Sequence, residues 1–352
     1  MSSLIIEMCK IDSIEPHPNG DFLDIAQVKG WQCVVRKGQF QQGDDCLYFP
    51  PDTLLPKELS DELGVTNYLK GLGSRYPNRD RFGGRVGVAR LRGTPSLGLV
   101  VIPHADWLGH LDDLAGYLGV EKYSPPEEVL DGDAERTNVH FHKYTDMENL
   151  RNFPDAFGED EIVVVTEKIH GRNVRIGLCY ENEAMTLMAG SHGVRRRRID
   201  KAGKESIYWR PLTLYPQIET LLWELHNEYT ANVVLYGEIY GNGMQDLTYG
   251  QREVDFRVFD IAVNTRYLDY DLVFNACNFH GVPMVPMVSY GPFNWTLAEL
   301  ACSGDSVVSP VKQIREGIVI RPTEETRDVN GRKIYKLVSF EYLNRKGGSE
   351  NH

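Results

Sequence analysis

Hydrophobic and polar positions over the first hundred residues fall into short runs rather than long stripes. LIIEMCKIDSI (4–14), DFLDIAQVKGWQCVVRKG (21–38), DDCLYFP (44–50) and RVGVARLRGTPSLGLVVIP (85–103) are rich in β-branched and aromatic residues, with turn-formers HPNGD and QQGDD between them. Short strands at this spacing predict a small β-barrel over 1–105. From 106 to 138 the chain turns acidic and loses its pattern. DLAGYLGV (113–120) reads as a short helix and SPPEEVLDGDAE (124–135) as linker. From 139 to 352 the pattern is mixed, which predicts an α+β domain. Apolar strands are expected at EIVVVTE (161–167), NVRIGLCY (173–180), AMTLMAG (184–190), NVVLYGEIYG (232–241), DFRVFDIAV (255–263) and EGIVIRP (316–322). Ile218, Leu221, Leu222 and Leu225 form one helical stripe in PQIETLLWELHNEY (216–229), and YLDYDLVFNACNFHG (267–281) and TLAELAC (296–302) also read as helices.

Composition narrows the class without choosing a function. At 352 residues, 41% hydrophobic and 25% charged, the chain is an ordinary globular sequence with room for two domains. No apolar run approaches the roughly 20 residues of a membrane span. The start MSSLIIEMCK lacks a basic stretch followed by a long apolar core. The expectation is therefore a chain neither secreted nor membrane-inserted, working inside the cell in the cytoplasm. A net charge of -12 argues against non-specific binding to polyanions, although a basic cleft on an acidic body would still take phosphate. The run Arg195 to Arg198, followed by Lys201 and Lys204, is a local exception that reads equally as a solvated loop. The six cysteines have no C-x-x-C spacing, so neither a zinc site nor a disulfide framework is expected.

The stretch EIVVVTEKIHGRN (161–173) raises the chemical question. It delivers a lysine to the end of an apolar strand and follows it, three residues later, with a glycine. A lysine there is ordinarily a solvated edge. To act as a nucleophile, Lys168 must lose a proton near neutral pH, so burial or neighbouring positive charge must lower its pKa from about 10.4. Gly171 would leave room for a phosphate.

Six segments in order decide between these readings. EKIHGRN (167–173), GSHGVRR (190–196), YGEIYG (236–241), FRVFDI (256–261), EGIVIRP (316–322) and YKLVS (335–339) resemble the ordered motifs of the covalent nucleotidyltransferases, the superfamily of DNA ligases, RNA ligases and mRNA capping enzymes. Histidine rather than aspartate two residues after the lysine resembles the RNA ligase 2 and RNA-editing ligase branch. HPNGDFLDIAQVKG (17–30), GDDCLYFPPDTLLP (43–56) and RLRGTPSLGLV (90–100) resemble the OB-fold module of the tRNA-binding type, as in phenylalanyl-tRNA synthetase β-subunits. Such a barrel either binds single strands through a basic groove with aromatic platforms or merely orients its neighbour.

The resemblance implies an ATP-dependent RNA ligase, with ATP as AMP donor and Mg2+ or Mn2+ as cofactor. Lys168 would attack the α-phosphorus of ATP to form lysyl–AMP. AMP would then pass to an RNA 5′-phosphate, and a 3′-hydroxyl would displace it. Glu167 would recognise the adenine amino edge, and Phe259 and Val319 would pack the two faces of the base. Glu238 and Glu316, acids placed in strands of β-formers, would hold the metal; the rival reading pairs them with Arg257 or Arg321. Lys336 would contact the α-phosphate. The second lysine of that motif is missing, since Val338 stands there, which leaves Lys333 or Arg332 as substitutes. Asn173 would bond ribose or phosphate, and Ser191 and Arg195 would belong to the nucleotide site. His192 and Arg151 would touch RNA. His170 would serve phosphate or RNA-end contacts, or simply shape the turn. The partners expected are RNA ends, in single strands or a nicked duplex, with the chain as a monomer.

Only 13 residues follow Ser339, so a C-terminal OB domain of the DNA-ligase and capping type is not expected. The alternatives are an RNA-binding protein with an inactive ligase domain, a capping-type or DNA-ligase nucleotidyltransferase, or an enzyme that stalls at adenylated RNA.

Overall fold

The computed structural model describes residues 6–74, 76–124, 133–200 and 203–345. The chain divides into two compact units. The first holds Met1–Glu127 with Arg151–Pro154, and the second holds Glu128–Leu150 with Asp155–His352.

Unit 1 is built from short antiparallel strands, as the alternation predicts. They are β1 (Glu7–Lys10), β2 (Ser13–Pro16), β3 (Leu23–Val28), β4 (Trp31–Arg36), β5 (Asp45–Phe49), β6 (Thr53–Pro56), β7 (Phe82–Arg85), β8 (Val88–Leu91), β9 (Thr94–Leu97), β10 (Leu99–Val101) and β11 (Glu121–Lys122), with helices α1 (Lys57–Glu62) and α2 (Leu114–Leu118). The β3–β4 hairpin turns on Lys29 (φ 51°) and Gly30 (φ 73°), the left-handed pair that a tight two-residue hairpin requires. β5 is the central strand of a sheet with β1 and β10, and its Leu47 and Phe49 anchor the core together with Leu55, Val86 and Val101.

The expected linker over 106–138 is largely packed structure instead. Trp107, Leu114 and Val120 enter the core of unit 1, and β11 pairs with β6. At the other end, the Arg197 N–H donates to Asp133 O and the Glu135 N–H donates to Arg195 O, tying 133–135 to unit 2. Acidic composition hid three apolar anchors that needed a partner surface to be recognised. The central piece of the linker, 125–132, lies outside the described residues.

Unit 2 consists of two antiparallel-dominated sheets with helices packed on both. The first sheet orders β12 (Glu148–Asn149), β24 (Tyr335–Val338), β21 (Gly317–Pro322), β13 (Ile162–Lys168) and β20 (Met287–Pro292). The second orders β16 (Arg195–Arg196), β15 (Ala184–Gly190), β14 (Arg172–Glu181), β17 (Val233–Gly241), β18 (Val254–Val263) and β19 (Arg266–Tyr267). A hairpin of β22 (Arg327–Asp328) and β23 (Gly331–Arg332) precedes β24. The helices are α3 (Arg210–Leu214), α4 (Gln217–Tyr229), α5 (Tyr270–His280), α6 (Trp295–Cys302) and α7 (Phe340–Leu343), with α3, α4 and α5 packed on the second sheet and α6 on the first.

Alternation along β14, β17 and β18 separates two faces. Val174, Ile176, Val233, Leu235, Phe256 and Ile261 meet the expected stripe of α4, whose Ile218, Leu221, Leu222 and Leu225 are buried against them. The other face carries Tyr236, Val234 and Ala262, with Phe259 packed beside them. A β-bulge in β18 interrupts the alternation: Tyr236 pairs with Asp260 but the next residue, Gly237, pairs with Val258, so Phe259 has no partner. The extra residue turns two neighbours, Phe259 and Asp260, to the same side, which a regular strand cannot do. Among the described residues no helix is long and apolar enough to cross a membrane.

Candidate active site

The register of β13 against β21 builds one wall of a cleft in unit 2. Lys168 stands opposite Gly317, Thr166 opposite Val319, and Val164 opposite Arg321. Lys168, Thr166, Val319 and Arg321 therefore share a face, and all four line one cleft. Asn173 of β14, Glu238 of β17 and the bulged Phe259 supply the facing wall. The bulge is what aims Phe259 at this space, toward Val319.

The same alternation turns Glu167 away from Lys168. Glu167 borders the cleft, but its buried carboxylate accepts from the Ser306 hydroxyl at 2.5 Å and from the Val307 N–H at 2.8 Å, with Arg315 Nε 3.7 Å away. The expected reading of an adenine edge by that carboxylate would fall to the lone pairs these two hydrogen bonds leave.

Lys168 meets Glu316 at the end of the strand, with Nζ 2.5 Å from Oε1. Glu316 is fully buried. Burial alone would raise its pKa, but the charge of Lys168 and then His170 outweigh it and hold the carboxyl at about 2. Its second oxygen is buried with no hydrogen-bond partner among the described residues. Glu238 behaves oppositely. Loss of water in the cleft pushes it up to about 8, with the Glu316 charge adding to the rise and Lys168 opposing it. The expected alternative of pairing to Arg257 or Arg321 is not seen. Arg257 donates to Met284 O and Tyr240 Oη, and Arg321 pairs with Asp260.

His170 is buried and bonded on every side. Nε2 lies 2.8 Å from Asp246 Oδ1, Nδ1 lies 2.9 Å from Tyr342 Oη, and Glu316 Oε2 is 3.7 Å from Nδ1. Its main-chain N–H donates to Tyr249 Oη at 2.6 Å. Gly171 follows for a reason other than the expected one. A Cβ there would sit 2.2 Å from Ile239 O, so the glycine admits β17 rather than a phosphate. Its N–H donates to Glu238 Oε1 at 3.0 Å, which links the turn to the facing wall.

Lys336 stands opposite Val319 in β24 and so faces the same way, although buried. Neither expected substitute for the missing lysine is available: Lys333 pairs with Glu161 at 2.7 Å, and Arg332 with Asp260 at 2.7 Å and Glu325 at 2.6 Å. Asn173 presents a buried Oδ1 that has no partner among the described residues.

Seven expected site residues are not in the cleft lining: Glu316, His170 and Lys336, which adjoin it through Lys168 and Val319, and Arg195, Ser191, His192 and Arg151. Arg195 is held between Glu181 (2.6 Å) and Glu135 (2.9 Å). Ser191 caps its own turn by bonding to Val194, and its carbonyl accepts from Arg175 Nε. His192 is lowered in pKa by burial. Arg151 belongs to unit 1, buried with its guanidinium 5.8 Å from the Trp31 ring. Three of the four arginines of the run are paired with acids, since Arg196 meets Asp133 and Arg198 meets Glu205, while Arg197 is exposed and Lys201 lies outside the described residues.

Sequence reasoning missed the floor of the cleft. Asp260, fully buried, takes Tyr144 Oη at 2.8 Å, Arg321 at 3.0 Å and Arg332 at 2.7 Å. Burial would raise its pKa, but the two guanidiniums outweigh this and lower it. Asp260 in the strand DFRVFDIAV and Arg321, the one base in EGIVIRP, were visible in the sequence; what joined them was not.

Among the described residues no three or more His, Cys, Asp and Glu side chains gather to hold a metal. Two carboxylates and one spare buried oxygen suit a hard cation that draws its other ligands from phosphate and water.

A lysine nucleophile candidate, paired acids and an apolar slot between an aromatic and an aliphatic side chain define a nucleotide-handling phosphoryl-transfer site. The comparisons agree. Residues 161–338 match the RNA ligase family model and residues 5–103 match an OB-fold domain model. The chain belongs to the RNA ligase family, with an N-terminal OB-fold module. Among curated proteins none matches its sequence. Solved structures of the RNA ligase of Naegleria gruberi share the fold. A lysine-to-methionine variant with AMP and manganese is 23% identical at TM-score 0.73, covering 96% of this chain and 98% of that one. A lysine-to-alanine variant with ATP and manganese is 23% identical at TM-score 0.74, covering 97% and 100%. The same ligase with pyrophosphate is 24% identical at TM-score 0.70, covering 96% and 97%.

Proposed function

We propose that the chain is an ATP-dependent RNA ligase whose nucleophile is Lys168. The observation that carries this reading is the Lys168–Glu316 pair at 2.5 Å, at the end of a strand whose cleft face offers Phe259 and Val319 to a planar base. The ATP, AMP and manganese bound by the Naegleria enzyme support the choice of nucleotide and ion.

In the first step deprotonated Lys168 Nζ attacks the α-phosphorus of ATP. A nitrogen–phosphorus bond forms, the bond to the bridging oxygen breaks, and pyrophosphate leaves. An RNA 5′-phosphate oxygen then displaces Lys168, forming a diphosphate-linked AMP. Finally a 3′-hydroxyl oxygen attacks the RNA 5′-phosphorus and expels AMP. Each step is a phosphoryl transfer governed by positioning and charge neutralisation. Glu316 orients Lys168, Lys336 faces the phosphate side, and Asn173 offers its unpaired oxygen to the ribose. Glu238 and Glu316 would hold a divalent cation, which when bound supplies charge neutralisation on phosphate oxygens. All these residues belong to one unit, so the working form is a monomer. The substrate is an RNA end, including the broken strand of a nicked duplex.

The test is incubation with α-labelled ATP and magnesium, followed by denaturation. A labelled protein adduct that disappears in Lys168→Ala supports the reading; no adduct, or one that survives the substitution, ends it. Labelling by GTP instead of ATP points to a capping-type enzyme. Sealing assays on nicked duplexes with RNA or DNA on each side of the break then define the substrate.

A further inference from the structure

The turn that follows Lys168 is gripped from two sides by residues that no step above uses. On one side lies the loop between β17 and β18. Gln245 Nε2 donates to Gly171 O at 3.3 Å, Tyr249 Oη accepts the His170 N–H at 2.6 Å, and Asp246 Oδ1 lies 2.8 Å from His170 Nε2. On the other side lie α7 and the residues just after it, where Tyr342 Oη is 2.9 Å from His170 Nδ1. Arg345 ties the two sides together. Its Nε and Nη2 donate to the two oxygens of Asp246 at 2.7 and 3.1 Å, and its Nη1 donates to Tyr342 O at 2.7 Å. Its guanidinium also lies over the Tyr342 ring, 3.5 Å from the centroid. Contacts therefore run in a closed circuit from His170 through Asp246, Arg345 and Tyr342 back to His170, all within unit 2.

Both imidazole nitrogens are spent inside this circuit. A carboxylate only accepts, so Asp246 fixes a proton on Nε2, and Nδ1 is left to accept the Tyr342 hydroxyl. Burial, with the Glu316 charge adding to it, raises Tyr342 above the usual phenol range, so the hydroxyl keeps the proton it donates. His170 is 3% exposed and has no nitrogen left for a phosphate or an RNA end. What it faces is Glu316. Nδ1 stands 3.7 Å from Oε2, and the other oxygen of that carboxylate meets Lys168 at 2.5 Å. An imidazole locked in this plane is a fixed wall behind Glu316, and Glu316 in turn aims the lysine.

We infer that Tyr342, Asp246 and Arg345 are positioning residues for nucleotide transfer, acting through His170 on the Glu316–Lys168 pair. Partners that lock a group next to the reacting residues set its orientation without touching substrate themselves. The inference rests on Lys168 being the nucleophile.

The test follows lysyl–AMP formation by the full chain in magnesium across ATP concentrations. Tyr342→Phe keeps the ring beneath Arg345 and removes only the hydroxyl. It should slow adduct formation at saturating ATP by about 10- to 100-fold, with the half-saturating ATP concentration within about two-fold of wild type. Arg345→Gln, one step further from the imidazole, should slow the same rate by a smaller factor. In a His170→Ala background neither substitution should cost more than about two-fold further, because the side chain they act through is gone. Nitrogen-15 shifts of the His170 imidazole, assigned by their loss in His170→Ala, should show a protonated Nε2 and a hydrogen-bonded Nδ1, with Nδ1 moving in Tyr342→Phe. Wild-type rates in both folded variants overturn the inference. So do losses that add in full to that of His170→Ala, which would mean that the circuit only fastens the C-terminal segment. If Tyr342→Phe does not fold, Arg345→Gln carries the same cycle and the same spectra. Absence of adduct in the wild type ends the ligase reading; the nitrogen shifts then decide alone, since an Nδ1 unmoved by Tyr342→Phe overturns the circuit and a displaced one upholds it.

Discussion

Two buried carboxylates stand in the same unit, and they differ in what remains unsatisfied. Asp260 is saturated: a tyrosine hydroxyl and two guanidiniums converge on it, all inside the core. Glu316 pairs with Lys168 on one oxygen, while its other oxygen has the His170 ring 3.7 Å away and no hydrogen-bond partner among the described residues. Both are fully buried, so burial does not separate structure from chemistry. A saturated acid can change partners only by breaking the fold. An acid with a spare oxygen, paired to a lysine on a flexible stem, can exchange its partner for a substrate or an ion. The half-satisfied group is where reactivity is stored, and the saturated one keeps Arg321 and Tyr144 in place as the cleft's floor.

That contrast breaks most sharply at the lysine. Lys168→Ala should reduce labelled adduct to background, and it should also lower stability by leaving the buried Glu316 carboxylate without its lysine; a variant that keeps its label removes the nucleophile assignment. Glu316→Gln, which strands no carboxylate, should slow adduct formation by about 10²- to 10³-fold with a small change in midpoint. Asp260→Ala should do the reverse. Stranding two buried guanidiniums lowers stability by about 3–5 kcal/mol, so chemical denaturation should show the loss, and activity should fall only as the folded fraction falls. Equal destabilisation by the Glu316 and Asp260 substitutions would erase the distinction drawn between the two acids.

Glu238 gives a pH test with a definite sign. Its folded pKa of about 8 lies above the ordinary glutamate value of 4.5. Between those values the folded state holds a proton that the unfolded chain has released, so this group lowers stability progressively as pH rises from about 4.5 to about 8. In EDTA, Glu238→Gln should therefore gain stability relative to wild type across that window, most at its upper end. A difference that is flat with pH would show that the carboxyl is not raised. The smallest effect is expected at Arg195. Because its guanidinium is spent on Glu135 and Glu181, Arg195→Gln should leave adduct formation within about two-fold and lower stability by about 1 kcal/mol. A large loss of labelling with folding intact would return Arg195 to the nucleotide site.

Much of this was legible beforehand, and the reasons are local. The stripe Ile218, Leu221, Leu222 and Leu225 has helical spacing, and those four residues are buried in α4. The strands around Lys168, Glu238, Phe259 and Glu316 follow from β-branched runs, and the structure gathers these four residues about one cleft or beside it. The misplaced residues share a different property. Trp107, Leu114 and Val120 are core residues in an acidic stretch, and their burial depends on a surface far away in sequence. Arg195 was expected in the nucleotide site, and Glu135 and Glu181 hold its guanidinium from elsewhere in the chain. Gly171 looked like space for a ligand and is space for β17.

By itself, then, the sequence determined which residue types were present in which order, the period of each element, and the placement of a lysine at the end of an apolar strand. These follow from neighbours in the chain, where periodicity and propensity act. Tertiary structure decided direction and pairing. The register of β13 on β21 put Lys168 and Val319 on one face and the Glu167 carboxylate on the other. The bulge at Phe259 turned it and Asp260 the same way, and distant acids chose which arginines would be neutralised. Such outcomes depend on contacts between residues far apart in the chain, so they belong to the folded molecule and not to any single segment.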